Sequence, residues 1–284
     1  MKLNNTLSVF IARKRWLKRI FMNCLPNYAH RKIFNKIEFY FDPRDMRGPS
    51  FHFAYDLEKG FNNYEETTKK KLLSFLPENG VFYDIGANIG MYSVYFLLHK
   101  PSCQLFSFEP EPLVHSLLNK TLKSMKNDIK LFNVAIGNVE EDKKIFKSST
   151  NDGGHSFLIG LDDKNDESYE VVKVVNLDSF RQKNSIPKPD VVKIDVEGFE
   201  LEVLKGMKGT ILESKPIMQI ESNNKDLSTK GNFWQFMSQF VEHGLVCMTP
   251  DDTRSISLNE LSNIAKRNLD NGHALSDYFY IFQK

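Results

Sequence analysis

The spacing of apolar and polar positions changes character near residue 80. Before it, "NYEETTKKKLLSFLP" (63–77) has helical spacing and stops at Pro77. From Val81 onward, short apolar runs alternate with longer amphipathic ones. The pattern predicts a strand at Val81–Asp84, a helix from about Gly90 to His99 and a strand at Gln104–Phe108, then a helix from about Pro112 to Met125 and a strand at Lys130–Val134. After a polar stretch at 147–169, holding "NDGGHS" and "LDDKNDES", the alternation resumes. A strand at Glu170–Asn176, a short helix at "LDSF", a strand at Asp190–Asp195, a helix from Glu200 and a strand at Ile217–Glu221 follow. Leu245–Thr249 and Tyr278–Phe282 read as an antiparallel edge pair separated by a long insertion. Phe39 to Tyr64, punctuated by Pro43, Gly48, Pro49 and Gly60, reads as short strands and turns covering one edge of the core. Strands alternating with helices of ten or so residues predict an α/β fold with a doubly wound, mostly parallel sheet.

Length and composition fit that reading. The 284 residues suffice for one α/β domain with an extension, and 41% hydrophobic content with 23 Phe supports a full core. No apolar run is long enough to suggest a membrane span. Cys24, Cys103 and Cys247 are odd in number and far apart, which fits reduced thiols in a cytoplasmic protein and neither a zinc site nor a disulfide framework.

Charge adds one asymmetry. The net charge is +2, yet residues 1–37 hold nine Lys and Arg and no acid, leaving 29 of the 38 basic residues against 36 acids in the rest. Residues 1–50 therefore read as a basic N-terminal extension and 51–284 as the main domain. Within the extension, "LSVFIARKRWLKRIFMNCL" places Phe10, Trp16, Leu17, Ile20, Phe21 and Cys24 near one helical face among interspersed Arg and Lys. Charge interrupts its apolar stretch instead of preceding it, unlike a signal peptide. A helix packed on the domain, a peripheral contact with a membrane surface or anionic substrate, and a transit peptide all remain open for this segment.

The chemistry centres on "VFYDIGANIGMYSVYF" (81–96), where a buried strand gives way to a helix across Asp84, Gly86 and Gly90. In a doubly wound sheet, ligands bind outside the carboxyl ends of the strands. A dinucleotide fingerprint starting at Gly86 would need glycines where this chain has Asn88 and Met91, and Asp84 would repel a phosphate. The next strand ends at Glu109, placed to hold a ribose diol. A ribose, an ammonium-bearing portion and no phosphate together describe S-adenosylmethionine.

The ordered blocks "VFYDIGANIGMYSVYF", "FSFEPEP", "FNVAIGN", "GGHS", "VVNLDSF", "DVVKIDVEGFELEVLKGM" and "PIMQIES" resemble the FkbM family of S-adenosylmethionine-dependent methyltransferases over roughly residues 60–222. The resemblance implies a class I, Rossmann-like methyltransferase sheet and O-methylation of a hydroxyl, often on a sugar or polyketide. It implies that Asp84, Gly86, Asn88 and Gly90 form the loop around the methionine and ribose portions, that Glu109 takes the ribose hydroxyls, and that Ala135 lies by the adenine. Tyr64-Glu65 resembles the family's "YE" pair, which places Glu65 near the methionine amino group; an ordinary first-turn helix acid is the other reading. Residues 1–50 and the C-terminal sixty match no motif.

Methyl transfer to a hydroxyl needs alignment and a base or a metal to take the proton. Asp195 ends a strand beside the expected cofactor, as a catalytic or substrate-binding group or as a helix cap. Glu197-Gly198 reads more plainly as the turn that follows. Glu221 ends the next strand toward the same cleft, and His155 in "DGGHS" is a further candidate base. Asp195 and Glu221 are also ligand types that Mg²⁺ or Mn²⁺ accepts. N-methylation, or cofactor binding without turnover, stays open as an alternative. A nucleic-acid acceptor is disfavoured, because no N/D-P-P-Y/F tetrapeptide occurs and the basic residues concentrate in one terminal segment. A small-molecule or glycan acceptor is expected, and the oligomeric state is not legible.

Overall fold

A computed structural model describes residues 29–32, 37–42, 61–125, 129–146, 156–157 and 169–283. Its centre is a seven-stranded sheet. The first strand of the alternating region, β3 (Val81–Ile85), is buried at every position, as a parallel strand covered on both faces must be. It pairs in parallel with β4 (Gln104–Phe108) on one side and β9 (Val191–Ile194) on the other. Beyond β4 lies β5 (Ile129–Phe132), and beyond β9 lies β10 (Ile217–Asn223), both also parallel. The chain thus builds outward from β3 in one direction, then returns to build in the other. The gap between the carboxyl ends of β3 and β9 is the switch point where ligands bind in such sheets.

The far edge is antiparallel. β12 (Leu275–Phe282) inserts between β10 and β11 (Leu245–Met248), antiparallel to both. The two C-terminal strands do pair at an edge with a long insertion between them, but the later one is the inner strand. A smaller sheet of β6 (Ala135–Ile136), β8 (Tyr169–Val175) and β7 (Glu141–Phe146) stands beside the main one. The sequence pattern gave no sign of β7, whose exposed positions are charged. The strand expected at Lys130–Val134 is β5, and the short β6 that follows had no counterpart in the pattern.

Helices cover both faces. α1 (Glu66–Phe75), α2 (Met91–His99) and α3 (Pro112–Lys123) follow the first strands. In α3 the Glu111 side chain accepts from the Val114 N–H at 2.7 Å, capping a helix that has Pro112 in its first turn. α4 (Leu177–Lys183), α5 (Glu200–Gly206) and α6 (Lys208–Ser214) flank β9 in sequence. α7 (Asn224–Thr229) and α8 (Asn232–Ser238) connect β10 to β11, and α9 (Leu258–Asp270) lies in the insertion between β11 and β12.

The strand alternation splits the core in two. Tyr83, Ile85, Val192, Ile194, Met218, Ile220, Tyr278 and Tyr280 share one apolar layer. Phe82, Leu105, Val191 and Phe279 join Phe96 and Leu72 in the other. Ile37, Phe39 and Phe41 of and beside β2 (Glu38–Phe41) are buried in this second layer, and the Tyr40 N–H donates to Thr121 Oγ1 at 3.0 Å. β2 also pairs with β1 (Ala29–Lys32). These two strands belong to the expected 1–50 extension yet are joined to the domain. The basic segment at 7–25 lies outside the described residues. Among the described residues no helix is long and apolar enough to cross a membrane.

Candidate active site

Register fixes which side chains meet at the switch point. Across the sheet, Ser107, Asp84, Lys193, Gln219 and Phe279 are successive strand partners, so they form one row on the α1–α2 face. Two residues toward the carboxyl ends, Gly86, Asp195, Glu221 and Asp277 continue the same face, with Glu221 and Asp277 directly opposite one another. A polar row therefore crosses an otherwise apolar layer and opens into an acidic rim.

Asp84 is fully buried. Its Oδ2 accepts from Ser93 Oγ at 2.6 Å, Ser93 in turn meets Ser107 Oγ at 2.9 Å, and its Oδ1 has no hydrogen-bond partner among the described residues. Lys193 Nζ stands 4.0 Å from Asp84, 3.1 Å from Asp195 Oδ2 and 3.1 Å from the Gly86 carbonyl oxygen, to which it donates. It also lies 5.2 Å from the Tyr92 ring centroid. Burial raises the Asp84 pKa and Lys193 opposes that rise. Burial also works against the Lys193 ammonium, but Asp195, Asp84 and Glu65 more than offset it and hold its pKa above the ordinary lysine range.

The turn after β3 is built by close backbone approach. Gly86 (φ 77°) and Ala87 both donate their N–H to the Phe108 carbonyl, at 3.0 and 3.1 Å. A Cβ on Gly86 would come within 1.9 Å of the Asp195 carbonyl oxygen, so the strand ends themselves demand glycine here. Asn88 also has left-handed backbone, at φ 50°. Its N–H donates to Glu109 Oε2 at 2.9 Å, while the Glu111 N–H donates to Glu109 Oε1 at 2.9 Å. Burial pushes the Glu109 carboxyl up to about 7 despite these two donors.

A cavity open to solvent lies over this turn. Gly86, Asn88, Glu109, Ala135 and Asp195 line it, together with the rings of Phe108, Phe157 and Phe199. Phe157 and Phe199 stand 4.5 Å apart between centroids. Four of the expected cofactor residues and one expected catalytic residue thus share one cavity. Asp84 and Gly90 do not line it. Asp84 is sealed beneath the turn, and Gly90 starts α2 at φ 93°, where a Cβ would lie 2.5 Å from Leu118 Cδ1. Glu65, in left-handed backbone at φ 45°, also lies outside this cavity; its Oε2 accepts from Tyr92 O–H at 2.6 Å. His155 lies outside the described residues.

Glu221 lies on the acidic rim, outside the cavity. Burial raises its pKa, and Asp195, Glu197, Asp277 and Glu200 add to the rise. Asp277, missed from sequence, is raised by burial and by Glu65 and Asp195; its Oδ1 accepts from Gln219 Nε2 at 2.7 Å. The residues that sequence reasoning overlooked (Ser93, Lys193, Gln219, Asp277) had one available signal. Each is a polar position within an apolar strand or helix, which is costly unless partnered. Among the described residues no group of three or more His, Cys, Asp and Glu side chains is arranged to hold a metal ion.

S-adenosylmethionine fits what is present. The Glu109 carboxylate takes one N–H on each oxygen and keeps lone pairs for a diol. The aromatic and aliphatic walls suit a purine. Among the described residues no Lys or Arg lines the cavity, so none of them would neutralise a phosphate there. Glu109, Asn88, Gly86 and Ala135 would hold the nucleoside portion.

The Methyltransferase FkbM domain family matches residues 84–245, more than half of the chain. The chain belongs to the FkbM methyltransferase family. Among curated relatives, hexuronic acid methyltransferase AglP of Haloferax volcanii is 26% identical over 185 residues, 65% of this chain and 66% of AglP. The 2-O-methyltransferase NoeI of Sinorhizobium fredii is 26% identical over 160 residues, 51% of this chain and 65% of NoeI. The chain spans just under two thirds of the length of either relative. Among solved structures, an FkbM methyltransferase from Methylobacillus flagellatus KT matches with a TM-score of 0.41 at 15% identity, over 72% of this chain and 44% of that one. This FkbM-family chain has the doubly wound, mostly parallel sheet of class I methyltransferases, as its strand order β5-β4-β3-β9-β10-β12-β11 shows.

Proposed function

We propose that the protein is an S-adenosylmethionine-dependent methyltransferase that O-methylates a hydroxyl of a carbohydrate or related metabolite. The observation that carries the reading is Glu109, a buried carboxylate oriented by two backbone N–H groups in an aromatic-walled cavity that no basic residue lines among the described residues. Family membership supports the cofactor, and AglP and NoeI, whose names specify a hexuronic acid and a 2-O-position, favour a sugar hydroxyl.

When bound, the cofactor supplies an electrophilic methyl group on a sulfonium. The chain's own residues then have three tasks. Glu109 and the 86–90 turn fix the nucleoside. Lys193 holds the Asp195 carboxylate at the cavity's edge through a 3.1 Å ion pair. Asp195 accepts the proton of the attacking hydroxyl, the task for which a positioned carboxylate is suited. His155 is retained as a second candidate base from sequence.

The test is transfer of a labelled methyl group from S-adenosylmethionine to a panel of glycans, with the product's linkage read by mass spectrometry. A methyl ether on a sugar hydroxyl supports the reading. Label on nitrogen would move it to N-methylation. S-adenosylhomocysteine binding without transfer to any cellular extract would leave a binding module.

A further inference from the structure

The acidic rim beyond the cofactor cavity is a second site. Asp195 follows β9, Glu221 lies near the end of β10 and Asp277 near the start of antiparallel β12, all on one face, and each is half-buried instead of sealed. Glu221 and Asp277 are cross-strand partners, a pairing that repels when both are charged. Among the described residues no side chain hydrogen-bonds Glu221, and Asp277 receives only Gln219 Nε2. Beneath them Gln219 is fully buried, with its carboxamide reaching into the rim at Asp277 while its Oε1 has no partner. An unpartnered buried oxygen is expensive and marks a place where a donor belongs.

Among the described residues the strand side chains gathered here are three carboxyl groups and one carboxamide. The nearest cation, Lys193, is engaged by Gly86 and Asp195. On the α1–α2 side Glu65 adds another carboxyl, and the Tyr92 hydroxyl is turned to Glu65. Tyr64 is close enough for Glu65, Asp195 and Asp277 to act on its phenol. Glu197, in the turn before α5, and Glu200, at its start, act on Glu221.

Resting on the proposed methyltransferase reading, we infer that Asp195, Gln219, Glu221 and Asp277 form the acceptor subsite, and that it takes a hydroxyl- or ammonium-bearing acceptor and rejects one with a carboxylate or phosphate beside the methylated hydroxyl. A ligand here meets three carboxyl groups and the unpartnered Gln219 Oε1, so hydroxyl or ammonium donors on the ligand find acceptors. A neutral polyol satisfies Gln219 Oε1 and the open carboxyl oxygens. An amino sugar also neutralises the rim. A uronic acid adds a further negative charge to a cluster in which, among the described residues, Lys193 is the buried cation paired with Asp195.

The experiment uses the full chain saturated with S-adenosylhomocysteine at pH 7.5, and methyl glucoside, methyl glucosaminide and methyl glucuronide as probes, read by ligand-observed saturation-transfer NMR. The glucosaminide and glucoside should bind, and the glucuronide should be weaker by roughly tenfold or more, the effect of one like charge near a partly buried carboxylate. Glu221→Gln combined with Asp277→Asn should narrow that gap, which a merely structural role would not do. Equal or tighter glucuronide binding, no binding of any probe, or a gap unchanged in the double variant would overturn the subsite. Failure of the wild-type chain to bind S-adenosylhomocysteine would instead overturn the methyltransferase reading beneath it.

Discussion

The backbone N–H of Asn88 donates to Glu109 Oε2 across 2.9 Å, tying the turn after β3 to the carboxylate that ends β4. The bond orients the carboxylate and braces a residue held in left-handed backbone. Glu109→Gln keeps the shape but weakens the acceptor toward a diol. We expect S-adenosylhomocysteine affinity to fall by about 1.5–3 kcal/mol, the scale of a hydrogen bond to a charged group. Titration calorimetry on the folded variant checks this, and unchanged affinity would remove the ribose assignment.

The same carboxyl predicts a pH dependence. Burial raises Glu109 to about 7, so the free protein carries it increasingly protonated below that pH. Diol hydroxyls donate to the ionised form, and binding must first remove the proton. Affinity for S-adenosylhomocysteine should therefore weaken as pH falls below about 7, approaching tenfold per unit for one proton. Glu109→Gln should flatten the profile; an identical slope in the variant would assign it to another group.

Asp195 divides cofactor binding from chemistry. Asp195→Asn preserves an oxygen for Lys193 but removes the base. Turnover should drop by about 10²–10⁴-fold, the usual contribution of a positioned base, with S-adenosylhomocysteine affinity nearly level. A parallel loss of both would place Asp195 in the cofactor site. Activity that vanishes with EDTA and returns with Mg²⁺ or Mn²⁺ would show that a metal, and not the carboxylate alone, handles the proton.

Much of this site was legible because parallel strands bring their carboxyl ends side by side. Asp84, Gly86, Glu109, Asp195 and Glu221 each end a run of apolar residues, so pattern alone sends them to one end of the sheet. Their detailed roles were less legible. Gly86 reads as part of the cofactor loop, and the structure adds that the Asp195 carbonyl fills the space a Cβ would take. Asp84 reads as a ligand-facing acid, yet alternation turns it to the Lys193 row beneath the turn. Asp277 was unreadable for a topological reason. Nothing in "SDYFYIF" reveals that β12 slips between β10 and β11, and only that insertion sets Asp277 against Glu221.

Lys193 makes the last prediction, because a buried ammonium between two carboxylates serves stability and chemistry together. Lys193→Met fills similar volume but leaves Asp84 without its cation, in a place where Oδ1 already has no hydrogen bond. Breaking a buried pair from one side costs about 3–5 kcal/mol. At roughly 2–4 °C per kcal/mol for a chain of this size class, the melting midpoint should fall by about 6–20 °C. The sign of its pH dependence follows from Asp84. Its folded-state pKa is already raised by burial, and losing Lys193 raises it further. The folded variant then binds a proton that the unfolded chain releases above the ordinary aspartate range. That contribution is full at low pH and is lost as pH rises through the folded-state value. The stability gap between Lys193→Met and wild type should therefore widen from pH 5 to pH 8, as followed by thermal melts across buffers of equal ionic strength. A gap that stays constant over that range would show that Lys193 acts by packing and not by neutralising Asp84.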